Sequence, residues 1–141
     1  MSVNKFNAEG YHDPTVFEAL TNIEKVEKQR KKKKIVFICS PFAGDIEGNT
    51  RRAKRYGRFA VIEKAVPIIP HLMYPQFLEE NDPEERQLGI DMGLILLGKC
   101  QELWVFGSRI SSGMSAEITK AKRWNIPIRY FTTECVETKG E

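Results

Sequence analysis

Four short apolar runs, separated by segments of helix length, constrain this chain more than any other feature. Ile35-Val36-Phe37-Ile38-Cys39 is continuously apolar, and so are most of Val66-Pro67-Ile68-Ile69, Leu103-Trp104-Val105-Phe106-Gly107 and Ile128-Arg129-Tyr130-Phe131. A strand without polar alternation is covered on both faces, the situation of a parallel sheet between layers of helix. The intervening segments carry helical periodicity. In residues 49–65 the inner side is expected at Ala53, Tyr56 and Ala60, with Ile62 or Lys64 beside them; in residues 83–99 it is expected at Leu88, Met92 and Ile95. A last helix is expected behind the third strand, with Ile118, Ala121 and Trp124 inside. This alternation predicts an α/β fold of the flavodoxin or Rossmann-like kind: a parallel sheet, right-handed crossovers, and helices on both faces.

At 141 residues the chain has room for one such core. The expected organisation is an N-terminal helical extension over residues 1–33, the α/β domain over 34–133, and a tail over 134–141 that frays from Glu137 onward. The extension is read as an amphipathic helix of about four turns. Asp13 would be its N-cap and Pro14 its first residue, and Phe17, Leu20, Ile23 and Val26 would form the stripe. That stripe is expected to pack on the domain or on a neighbouring subunit. The helix runs into the basic stretch 28–34, where Lys and Arg dominate and no aromatic interleaves. A solvated helix end is therefore expected there, and nucleic acid is not the expected partner. No apolar stretch approaches the roughly 20 residues of a membrane span, so no membrane association is expected. The first five residues hold no apolar signal core. Cys39, Cys100 and Cys135 have no paired spacing, and only His12 and His71 accompany them, which fits neither a zinc site nor a disulfide framework. A cytoplasmic location and the absence of any metal follow as expectations.

Chemistry is expected where loops leave the carboxyl ends of the strands, since open α/β sheets bind ligands there. Three such loops span residues 40–45, 70–75 and 107–113. They would bring Ser40, Phe42, Gly44, Asp45, His71, Ser111, Ser112 and Gly113 around one cleft with Glu117 just behind. A turn of serines and glycine at a helix start offers free N–H groups and hydroxyls to an anion such as phosphate. Glu117 lies about one turn into that helix. With Ser112 as N-cap, a capping-box glutamate would stand at position 115, which is serine, so Glu117 is not explained as a cap. Asp91 falls at the edge of the expected stripe of Leu88, Met92 and Ile95, where a carboxylate is costly unless paired or used. Two carboxylates around a sugar-sized cleft are the equipment of glycosidic chemistry. Arg51 or Arg52, near a helix start, could reach a phosphate.

These residues carry a resemblance. Residues 36–42, residues 67–71, Asp91 and above all the spacing Ser111, Gly113, Glu117 resemble the nucleoside 2-deoxyribosyltransferase superfamily, which includes deoxynucleoside 5′-monophosphate N-glycosidases. From Val36 to Phe131 the sequence is most similar to a bacterial and phage branch of it. The resemblance implies a flavodoxin-like fold, a homo-oligomer with shared sites, and a nucleoside or nucleotide substrate. It implies Glu117 as the nucleophile at C1′, Asp91 assisting the leaving base, and Ser111 contacting a 5′-phosphate. His71 stands where some nucleotide hydrolases carry a cleft histidine, and the chemistry needs no cofactor. One position departs: many active members orient the glutamate with a strand tyrosine, and Phe37 stands there. The loop 40–45 also lacks the arginine that grips phosphate in the hydrolases. Ligand binding without turnover, as a sensor or sequestering protein, is the alternative this departure leaves.

Overall fold

The computed structural model describes residues 14–140, and the proposed cap Asp13 lies outside them. The chain divides into two compact units, Met1–Lys33 and Lys34–Glu141. In the first, helix α1 spans Pro14–Arg30. Ile23 and Val26 of its stripe are exposed, as are the basic residues 28–32 that end it.

The second unit is a five-stranded sheet in the order β2-β1-β3-β4-β5. Its strands are β1 (Ile35–Cys39), β2 (Val66–Ile68), β3 (Glu102–Phe106), β4 (Ile128–Phe131) and β5 (Glu137–Thr138). The first four run parallel, and β5 pairs antiparallel with β4. The tail is thus not frayed at Glu137. The Arg129 guanidinium donates two hydrogen bonds to its carboxylate, at 2.7 and 2.8 Å, and holds the short edge strand in place.

Helices α2 (Ile46–Ile62), α4 (Pro83–Leu97) and α5 (Ser112–Arg123) cover the sheet. Alternation along the strands sorts the core into two layers. Val36, Ile38, Trp104, Phe106 and Phe131 pack with Tyr56 and Ala60 of α2. Phe37, Cys39, Leu103 and Val105 pack with Leu97 of α4 and with Met114 and Ala121 of α5. Tyr56 stacks on Phe106 with ring centroids 4.2 Å apart, and each such fully buried side chain contributes roughly 1.5–3 kcal/mol of hydrophobic stabilisation.

Helix α2 begins three residues earlier than the sequence reading placed it, because Asp45 caps it by accepting from the Gly48 N–H at 3.1 Å. It ends before Lys64, whose φ of +67° is left-handed, and Ile62 is 60% exposed rather than internal. Residues 70–76 are not an open loop. They form the short helix α3 (Pro70–Met73) and a 3-10 turn, Tyr74–Gln76.

Helix α4 is turned from its expected orientation. Leu88 and Ile95 are 48% and 63% exposed, while Gly93 and Leu97 are buried. A β-carbon on Gly93 would meet Pro70 at 3.7 Å, and one on Gly89 would meet Leu78 at 3.3 Å. The helix docks through Gly93 and Leu97, with Leu94 partly buried on the core, while Leu88 and Ile95 stay outside.

One buried charge ties together the amino-terminal ends of the central strands. The Glu102 carboxylate, in a residue only 7% exposed, accepts from Lys34 Nζ at 2.7 Å and from Trp104 Nε1 at 2.8 Å. Burial pushes this carboxyl up, but the bonds from Lys34 and Trp104 and the charges of Lys34 and Arg129 outweigh it and hold the group below its ordinary value. A lowered carboxyl stabilises the fold above its ordinary pKa, and that contribution is lost as pH falls through the folded value. Glu102→Ala is therefore expected to lower stability by about 1–3 kcal/mol at pH 7 and by much less at pH 3, as read by urea unfolding. Equal losses at both pH values would show that packing, not the charge network, holds these strand ends.

Candidate functional site

The strand order sets where a ligand can sit. From β1 the chain crosses to β2 at one edge of the sheet, and from β3 it crosses to β4 on the other side, so the loops leaving β1 and β3 diverge. A crevice opens at this switch point, outside the carboxyl ends of the strands.

On the α4–α5 side lies a cavity of about 200 Å³. Phe37, Ser40, Phe42 and His71 line one part of it, and Ser111, Ser112, Gly113 and Glu117 line the other. Eight of the ten expected site residues therefore meet here. Gly44 does not; with its φ of +92° it lines a second, adjoining cleft, together with Asp45, Arg51 and Arg52.

Asp91 is the other exception. It is exposed, its carboxylate accepts from Gln87 Nε2 at 2.9 Å, and it does not line the cavity. The rotation of α4 onto Gly93 and Leu97 carries Asp91 outward with Leu88 and Ile95. The α4 residues that do reach the cavity include Arg86, Ile90 and Leu94.

Glu117 owes its place to helical geometry. Ser111, not Ser112, is the N-cap of α5, accepting from the Met114 N–H at 3.2 Å. The capping-box position is then Met114, so Glu117 still has no capping role. Met114 and Ala121 are 1% and 0% exposed. Positions three and four residues apart share a helix face, so Glu117 projects along the same buried stripe toward β1. Burial raises its carboxyl from 4.5 to about 8, against the opposing pull of a hydrogen bond with the Cys39 thiol. Cys39 is itself pushed well above its ordinary value, first by burial and then by the charge and hydrogen bond of Glu117. The sequence reading missed Cys39 as a neighbour of the glutamate. Strand alternation carries the signal, because Cys39 lies two residues beyond Phe37 on the same face.

His71 is placed by α3 so that its Nε2 lies 3.1 Å from the Ser40 hydroxyl. Burial lowers its pKa to about 4, so at neutral pH it is an uncharged hydrogen-bonding group. The Phe42 ring lies 5.9 Å from the imidazole, and Tyr74 completes this wall. Phe37 is 1% exposed and offers no hydroxyl to Glu117. Among the described residues no three His, Cys, Asp or Glu side chains are placed to hold a metal ion, and no helix is long and apolar enough to cross a membrane.

Two solved structures share this architecture. The 2-deoxyribosyltransferase of Bacillus psychrosaccharolyticus superposes with a TM-score of 0.59 at 13% identity, over 70% of this chain and 72% of that one. The 2-deoxyribosyltransferase of Leishmania mexicana gives 0.50 at 16% identity, over 70% and 64%. At such identities the likeness establishes the fold. No curated protein matches the sequence. A family model does, covering residues 34–131, the stretch that holds β1 to β4 and every residue around the cavity. The chain thus belongs to the family defined by the domain of unknown function DUF7768.

Proposed function

We propose that this protein cleaves or transfers the N-glycosidic bond of a nucleoside or nucleoside 5′-monophosphate, with Glu117 as nucleophile. The observation that carries this reading is a desolvated carboxylate in a small cavity at the switch point of the sheet. The fold shared with two 2-deoxyribosyltransferases supports it. Ionised Glu117 attacks C1′ of the sugar; a carbon–oxygen bond forms as the bond to the base breaks, and the electron pair leaves with the base, which takes up a proton. Water then attacks C1′, releasing the sugar and regenerating the carboxylate; attack by a second base instead completes transfer. Ser111 and Ser112 at the start of α5 would receive the 5′-phosphate, and neutral His71, held by Ser40, would hydrogen-bond the base.

The test is incubation with a panel of nucleosides and 5′-monophosphates, with released base read by chromatography. Release from any member supports the reading. The second reading, ligand binding without turnover, draws on the missing hydroxyl at Phe37 and on a Glu117 that is largely protonated at neutral pH. Tight binding with no release between pH 6 and pH 9 would establish that alternative.

We infer further that the protein is a homo-oligomer. The outer face of α4 sets Leu88 and Ile95, 48% and 63% exposed, on either side of Asp91. Covering that apolar face with a second copy would remove it from water and would restore Asp91 to a shared site. Light scattering on the full chain is expected to give at least a dimer, and Ile95→Lys is expected to lower the mass. A monomer at micromolar concentration overturns this.

A further inference from the structure

The second cleft lies on the α2 side of the same crevice and has a volume of about 870 Å³. Four arginines line it: Arg51, Arg52 and Arg55 from α2, and Arg109 from the loop after β3. Two are braced. Arg52 Nη2 donates to Asn49 Oδ1 at 2.8 Å, and Arg55 Nη2 donates to the Thr133 carbonyl at 2.8 Å. Among the described residues Arg51 and Arg109 make no ion pair, and both are exposed.

Among the described residues Asp45 is the only acidic one lining the cleft. Its carboxylate is occupied by the Gly48 N–H and by Arg52, at 3.1 and 3.5 Å. Those contacts, the Gly48 bond foremost, hold it below its ordinary pKa, so it stays ionised. It also fills the start of α2, which removes the helix N-terminus as an anion seat. One carboxylate against four guanidiniums leaves a strongly cationic cleft, and guanidinium matches phosphate oxygens in a bidentate way.

The two clefts meet, because Ala43 and Ser111 line both. The first holds about 200 Å³, below the roughly 300–1,000 Å³ of pockets that bury a whole drug-sized ligand. A ligand seated at Glu117 must extend, and the way past Ser111 leads to the arginines. Resting on the glycosidic reading above, we propose that the arginine cleft is a polyphosphate subsite and that the ligand is a nucleoside 5′-di- or triphosphate. The sugar lies at Glu117, the first phosphate passes Ser111, and the outer phosphates reach Arg51 and Arg109.

The experiment is calorimetric titration of full-length Glu117→Gln, which prevents turnover, at constant ionic strength. The probes are 2′-deoxynucleoside mono-, di- and triphosphates, inorganic tripolyphosphate and a short single-stranded oligonucleotide. Triphosphates are expected to bind at least tenfold tighter than the matching monophosphates. In the Arg51→Ala/Arg109→Ala background that gain is expected to vanish while monophosphate affinity stays within twofold. Both arginines are exposed, so the fold is retained, with circular dichroism as the check. Equal affinity for mono- and triphosphates, or a gain that survives the double substitution, overturns the subsite. Base release from monophosphates would leave the glycosidic reading standing in that case. Tripolyphosphate binding with no nucleotide binding overturns the nucleotide ligand, while base release from nucleosides in the wild-type panel decides the glycosidic reading separately. An oligonucleotide that binds more tightly than every mononucleotide overturns the assignment in favour of a nucleic-acid backbone.

Discussion

Glu117→Gln is expected to reduce base release by on the order of 10³-fold or more, because it removes the atom that forms the bond to C1′ while keeping the shape and polarity of the side chain. Binding of the same ligand is expected to persist within a few-fold. The wild-type profile should carry the signature of the raised carboxyl. With a pKa of about 8 in the free protein, the ionised, nucleophilic form grows tenfold per pH unit below that value. The logarithm of kcat/KM is therefore expected to rise with unit slope and to level off near pH 8. Single-turnover measurements across pH 5.5–9 read both effects. A flat profile would mean that Glu117 acts in its protonated form, and full activity in the glutamine variant would remove it from the mechanism.

The same substitution is expected to stabilise the protein, and to do so more as pH rises. Burial raises Glu117 above its ordinary 4.5, so between that value and about 8 the folded chain keeps a proton that the unfolded chain has lost. Stability then falls with rising pH across this window, and the full penalty is present above it. Each unit between two pKa values corresponds to about 1.4 kcal/mol, which caps the effect at several kcal/mol. Partial contact with solvent in the cavity reduces it, and a gain of about 2–4 kcal/mol for Glu117→Gln at pH 8, close to zero at pH 4.5, is the expected result. Urea unfolding at pH 4.5, 6.5 and 8 measures it. A gain that does not change with pH would show that glutamine merely packs better. A loss at pH 8 would show that the carboxylate is paired with a cation.

The two carboxylates singled out in the sequence had opposite outcomes, and the cause is how each helix docks. Glu117 shares a face with Met114 and Ala121, both buried against β1 and β3, and a helix that buries those side chains carries the glutamate into the crevice. The period places Asp91 at the edge of an inward stripe of Leu88, Met92 and Ile95. Helix α4 instead packs through Gly93 and Leu97, with Leu94 partly buried beside them and Gly89 and Gly93 facing Leu78 and Pro70. The apolar residues of α4 lie all round the helix, so periodicity alone does not single out its packed face. Gly93 adds no side chain to that face, so its share of the contact leaves no mark in a hydrophobic pattern.

What the sequence determined by itself is the strand framework and the position of the crevice. The apolar runs at Ile35–Cys39 and Ile128–Phe131 match β1 and β4 residue for residue, because strands covered on both faces admit no polar alternation. The loops after β1 and β3 were expected at the carboxyl edge of a parallel sheet, and there they flank the crevice. Tertiary structure alone decided the rest. It set the rotation of α4, paired the tail at Glu137 through Arg129, and put the Cys39 thiol against Glu117. It also gathered Arg109 with three arginines from a helix more than forty residues earlier in the chain. Each of these depends on contacts between segments far apart in sequence, and their strength comes from burial and charge that no local pattern encodes.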